Sequence, residues 1–138
     1  MPATFKLEIV TPEAVTYSQD VEMVTLPGVE GEMGIYPMHV PLMTQLVAGE
    51  VVVRKDGHDV FLAVGEGFVQ ITGDRVAILT DMAFEAAQID EAKADEARKR
   101  AEQRLQEKLN DEEVASVSAA LAHSLAQLKV KRRSRPGA

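Results

Sequence analysis

FVQITGDRVAILTDMAFEAAQIDEAKADEARKR, Phe68–Arg100, changes its grammar part-way along. Up to Thr80 it holds two short runs rich in Val, Ile and Thr, parted by Gly73-Asp74, the composition of two strands around a tight turn. After Met82 the β-branched residues give way to Ala, Glu, Lys, Arg and Gln, strong helix formers that dominate as far as Lys108. The chain is therefore expected to be β first and α second, with domains over residues 1–86 and 87–138.

Toward the N-terminus the β pattern repeats. Residues 4–10 alternate, with Phe5, Leu7 and Ile9 on one face and Thr4, Lys6 and Glu8 on the other, as a half-buried strand requires. Further runs are expected at Val21–Leu26, Val40–Val47, Val51–Arg54 and Val60–Val64, and Asp56-Gly57 suits a hairpin turn between the last two. About seven to ten short strands, without βαβ spacing, fit an antiparallel β-sandwich or a small barrel, and the sandwich is preferred. The run PGVEGEMGIYPMHVPL, Pro27–Leu42, has glycines and prolines enough to break periodicity, yet keeps apolar residues throughout. It is expected as a bent, partly buried surface element.

Toward the C-terminus two helices are expected to form a hairpin. Asp90 can cap the first, with Glu91 complementing its dipole, and Asn110 with Glu113 resembles a capping box for the second. Ala94, Ala97, Ala101, Leu105 and Leu109 should face Val114, Val117, Leu121, Leu125 and Leu128. At ~0.8 kcal/mol per buried CH₂, a seam of alanine methyls is weaker than one of leucines, so the hairpin should close tightly but weakly. Asp95–Lys99 and Glu96–Arg100 are spaced as i,i+4 ion pairs that support the first helix alone. The chain ends in a basic run, Lys129, Lys131, Arg132, Arg133 and Arg135, suited to a helix C-terminus or to an acidic protein partner.

Composition removes several classes of function. Without cysteine there is no disulfide, thiolate metal site or cysteine nucleophile. His39, His58 and His123 are too scattered for a ligand pair, and no GxSxG elbow, Walker loop or HExxH run occurs, so no catalytic residue and no metal site is expected. Residues 1–88 carry 13 acids and 4 bases, hence −9; residues 89–138 carry 9 and 11, hence +2; together they make the net −7. An acidic first part disfavours nucleic acid. No run is long and apolar enough for a membrane span and no signal pattern opens the chain.

LEIVTPE at Leu7–Glu13, PGVEGEMGIYPMHVPLMT at Pro27–Thr44, AVGEGFVQI at Ala63–Ile71 and QIDEAKADEARKRAEQRL at Gln88–Leu105 resemble the epsilon subunit of bacterial F-type ATP synthases. That resemblance implies a β-sandwich of about ten strands followed by an α-helical hairpin. It also implies a non-catalytic rotor subunit of the central stalk that couples c-ring rotation to the catalytic head. Glu30, Gly31 and Glu32 would then meet the c-ring, and His39, Pro41 and Leu42 the gamma subunit. The hairpin would serve as a regulatory arm that inhibits ATP hydrolysis by reaching the alpha and beta subunits, with Lys129, Lys131, Arg132 and Arg133 against an acidic segment of beta. The location implied is peripheral, at the cytoplasmic face of the bacterial inner membrane, without insertion into lipid.

Some members of the family bind ATP in the folded hairpin through an I-D-x-x-R-A motif. Ile89, Asp90 and Lys93 stand at the matching positions, with lysine in place of arginine. Lysine keeps the charge but loses the planar donor fork, so ATP binding is expected to be weak or absent and no cofactor is implied. The competing reading is an ATP-sensing module in which these three residues hold the nucleotide.

Overall fold

The computed structural model describes residues 3–133. Among them are ten strands: β1 (Phe5–Val10), β2 (Val15–Val21), β3 (Met23–Gly28), β4 (Gly31–Ile35), β5 (Leu42–Leu46), β6 (Gly49–Lys55), β7 (His58–Val64), β8 (Gly67–Thr72), β9 (Arg75–Thr80) and β10 (Ala83–Glu85). A 3-10 turn, Ala86–Gln88, leads to α1 (Glu91–Arg104) and α2 (Asp111–Arg133).

The strands form two layers, β4-β3-β6-β7-β10 and β5-β8-β9-β1-β2, stitched at one corner by the Gly28–Leu46 pairing of β3 with β5. The result is a β-sandwich that is continuous at one edge like a barrel. Period-2 alternation places Leu7, Ile9, Leu26, Ile35, Leu62, Ile71 and Ile78 fully inside, each worth roughly 1.5–3 kcal/mol of burial. Both predicted hairpins are present. Asp56 and Gly57 take φ of 52° and 78°, the two positive values a two-residue turn needs, and Gly73 takes 52°.

The strands differ from the sequence reading at several points. Pro27–Leu42 is not a bend throughout, because Gly31–Ile35 pairs with β3 from Val24–Ile35 to Gly28–Gly31 as a regular strand. Glu22 divides the expected run Val21–Leu26 between β2 and β3, and Val40–Val47 shortens to β5. β2 and β10 add strands where only connections were foreseen. Finally, β1 lies parallel to β9, Lys6 opposite Arg75 through Val10 opposite Leu79, within an otherwise antiparallel fold.

The helix caps follow the sequence reading. Lys93 N–H donates to Asp90 Oδ1 at 3.1 Å, and Glu113 N–H to Asn110 Oδ1 at 2.8 Å while Asn110 N–H donates to Glu113 Oε1 at 3.3 Å. The seam is different. Ala94, Ala101, Val117 and Leu128 are buried, but Leu105, Val114 and Leu125 are exposed. The first helix stops at Arg104, so Leu105 caps it instead of lining it. The second helix has two partners: Ala126 and Val130 pack with Ala63, Met82 and Ile89 beneath the hairpin, flanked by Phe61 and Ala86. Lys99 reaches Asp95 at 3.3 Å as predicted, whereas the next pairs along the helix are made by Arg98, 2.9 Å from both Asp95 and Glu102, rather than by Glu96 with Arg100.

Candidate functional site

The β3–β4 hairpin carries the first group of predicted site residues. Gly28 and Gly31 face each other across it, and a β-carbon on Gly28 would lie 2.7 Å from the Gly31 carbonyl oxygen, so the closeness of the two backbones requires glycine. Gly31 itself has φ of 128°. The tight turn leaves Glu30, Gly31 and Glu32 exposed at its tip. The second group lies beyond the other end of β4, where Met38, with φ of 65°, turns the chain. The His39 ring Nδ1 stands 2.7 Å from the Val40 carbonyl oxygen, and Pro41 and Leu42 are exposed. At about 3.4 Å per residue the length of β4 separates the two groups by roughly 14 Å. They are two places on the sandwich rather than one constellation.

A third place on the sandwich carries a feature that the sequence reading did not single out. Phe68 pairs with Leu79, Leu79 with Val10 and Val10 with Val15, so four apolar residues line up across β8, β9, β1 and β2. Paired residues project from the same face. Here that face is the outer one, and Phe68, Leu79 and Val15 are 45%, 47% and 57% exposed. The row borders a cleft of about 460 Å³ lined by Val10, Pro12, Phe68 and Leu79, and a second cleft of about 500 Å³ extends it to Val29 and Val47. Of the helices, α2 packs on β6 and β7 and α1 packs on α2, which leaves this layer bare. A signal for it was in the sequence: Phe68 and Leu79 are large apolar residues at outward positions of alternating strands.

The hairpin gathers the remaining predicted residues without making one site of them. Ile89 is buried beneath α2, Asp90 caps α1 and Lys93 is exposed on the first turn. Of the basic run, Lys131 Nζ donates to the Ala86 carbonyl oxygen at 3.1 Å and Arg132 Nε to Glu91 at 3.1 Å. Arg133 Nη1 donates to Glu50 Oε1 at 2.6 Å, while Lys129 is exposed and Arg135 lies outside the described residues. Three of the four bases proposed for a partner subunit are thus bonded to groups of this chain in this conformation.

Two family models match end to end: the ATP synthase delta/epsilon chain β-sandwich domain over residues 4–86 and the delta/epsilon long α-helix domain over 87–132. The chain belongs to the ATP synthase delta/epsilon family. Curated relatives called ATP synthase epsilon chain include one from Dehalococcoides mccartyi, 43% identical over 97% of this chain and 98% of its own length. Others are from Desulforamulus reducens, 40% identical over 94% and 98%, and Bacillus cytotoxicus, 39% over 92% and 96%. The fold is shared with a chain in the Euglena gracilis mitochondrial ATP synthase, at a TM-score of 0.77 and 23% identity over 94% of this chain and 81% of that one. A chain of the Tetrahymena thermophila central stalk and c-ring gives 0.64 at 14% identity, over 91% and 95%.

As a delta/epsilon chain it is a non-catalytic subunit of the ATP synthase complex. No helix among the described residues is long and apolar enough to cross a membrane. The marked electrostatic feature of the hairpin is Asp95, whose carboxyl the Arg98 guanidinium, hydrogen-bonded to it, and Lys99 hold below the usual carboxylate range.

Proposed function

We propose that this delta/epsilon chain docks on the gamma subunit through the apolar row Phe68, Leu79, Val10 and Val15, and through His39, Pro41 and Leu42 at the other end of β5. The turn Glu30–Gly31–Glu32 meets the c-ring, so that the sandwich rotates with the central stalk and couples c-ring rotation to the catalytic head. In this reading it sits, as part of the complex, peripherally at the cytoplasmic face of a bacterial membrane. The observation that carries this reading is the bare apolar row, because a contiguous exposed apolar surface beside clefts marks a protein contact. Substituting Phe68→Glu together with Leu79→Glu should abolish copurification with gamma while the circular dichroism of the subunit is unchanged. Full copurification would refute the assignment. In a second arm, reversing Glu30→Lys and Glu32→Lys should lower proton-driven ATP synthesis without loss of gamma binding, and undiminished synthesis would make them turn residues only.

The hairpin is the regulatory arm in this reading. It reaches the alpha and beta subunits in a second, undocked form that inhibits ATP hydrolysis, and its thin alanine contact with α1 keeps that rearrangement inexpensive. Nucleotide sensing finds little support. Ile89 is packed in an apolar cluster and the Asp90 carboxylate is engaged by the backbone of Lys93.

A further inference from the structure

Glu50 is the second residue of β6, on the face that α2 covers, and its side chain is only 5% exposed. One oxygen, Oε1, accepts from Arg133 at 2.6 Å; the other, Oε2, is buried with no hydrogen-bond partner among the described residues. The guanidinium of Arg133 also lies 5.3 Å from the centroid of the Phe61 ring, within cation–π range. A cleft of about 250 Å³ beside the pair is lined by Glu32, Asp59 and Arg54 as well, so its acids outnumber its bases even counting Arg133. Arg54 is already paired with Asp59 at 3.2 Å.

We propose that Glu50 is the internal counter-ion that holds the C-terminal end of α2 against the sandwich, so that Arg133 serves either this carboxylate or an acidic partner, never both. The proposal rests on the mobile-hairpin reading only for its second half. The first half follows from the local chemistry. A carboxylate with one oxygen unpartnered in a buried place is poorly satisfied, and one partner alone does not offset its desolvation fully. When α2 lifts away, both oxygens return to water, which offsets part of the lost ion pair. The contact is therefore strong enough to bias the docked form yet cheap to leave, as a reversible latch requires. Arginine suits it because one planar group donates to the carboxylate and also stacks on Phe61, which an ammonium does less well.

The test is amide hydrogen exchange on the full chain. Glu50→Gln and Arg133→Gln should each speed exchange over Ser124–Arg133 by about tenfold, between the small effect of an exposed pair and the large one of a buried pair. The double variant should go little further, and amides of β1 and β9 should be unaffected. Unchanged exchange in both single variants, or a double variant whose effect is the product of the singles, would overturn the latch. Arg133→Gln alone decides the matter should Glu50→Gln disturb the sandwich, because Arg133 is half exposed. In the assembled enzyme, Glu50→Gln should also deepen inhibition of ATP hydrolysis. Faster exchange with unaltered hydrolysis would keep the latch and reject the inhibitory arm.

Discussion

Two glycines two positions apart show how much one β-carbon can matter, and in different ways. At Gly67, which pairs with Thr80, an added β-carbon would fall on the Leu79 carbonyl oxygen and lie 2.9 Å from Thr80 Cα, both backbone atoms in the adjacent strand. At Gly65 it would meet the Asp81 carboxylate and, at 2.8 Å, His123 Nε2, which are ends of side chains. Backbone in a sheet has nowhere to go, whereas a side chain can turn aside. Gly67→Ala should therefore cost about 3 kcal/mol in urea unfolding and Gly65→Ala about 1 kcal/mol, the two ends of the range for overpacking. Equal costs would contradict this account. Asp81 and His123 approach within 3.4 Å between sandwich and α2, so the milder substitution should act mostly by loosening the hairpin.

At the scale of single elements, α1 is braced by ion pairs of its own in addition to its packing on α2. Asp95 accepts from Arg98 Nε and Nη2 at 3.1 Å and 2.9 Å, and these bonds favour its charged form. A carboxyl whose folded pKa is depressed stabilises the fold above its unfolded pKa, and that contribution disappears as pH falls through the lower, folded value. Helical circular dichroism at 222 nm should consequently decline below the ordinary value of 3.8, and Asp95→Asn should flatten that part of the curve. Identical acid limbs in the two proteins would rule the pair out as a stabiliser. The caps of both helices were legible because a cap is local chemistry, a side chain meeting a backbone amide three residues on. The faces of α2 were not. Periodicity states that Val114, Leu125 and Leu128 are apolar, but α2 divides its surface between α1 and the sandwich, and only Leu128 of these is buried. Likewise β4 hid behind Gly31 and Gly34: the strand is formed by pairing with β3, while its own residues read as a turn. The roles proposed for the Glu30–Glu32 turn and the His39 loop rest on the family resemblance that their particular residues carry. The Phe68–Leu79 row depended on registers that no single strand records.

For the whole molecule, the acidic sandwich has an apolar core of its own, and a second, smaller cluster joins it to the basic hairpin. The main one, from Phe5 to Ala83, draws all its members from the strands, and the smaller one joins Ala63 and Met82 to Ile89, Ala126 and Val130. The sandwich should therefore fold without the helices. A chain ending at Gln88 should give a cooperative thermal transition less than about 8 °C below that of the full protein, a shift equal to one or two kcal/mol for a domain of this size. A non-cooperative melt would mean that the hairpin completes the core. The parallel pairing of β1 with β9 bears on how that core comes into being. During synthesis β1 and β2 emerge first and can form their hairpin at once, but Lys6–Val10 has no partner on its other edge until Arg75–Leu79 has been made. At about 5–20 residues per second the wait lasts several seconds, and closing so long a loop belongs to the slow, non-local class of folding steps. The first strand of the chain is thus among the last to be enclosed, and the nascent protein carries an unpaired apolar strand edge through most of its translation.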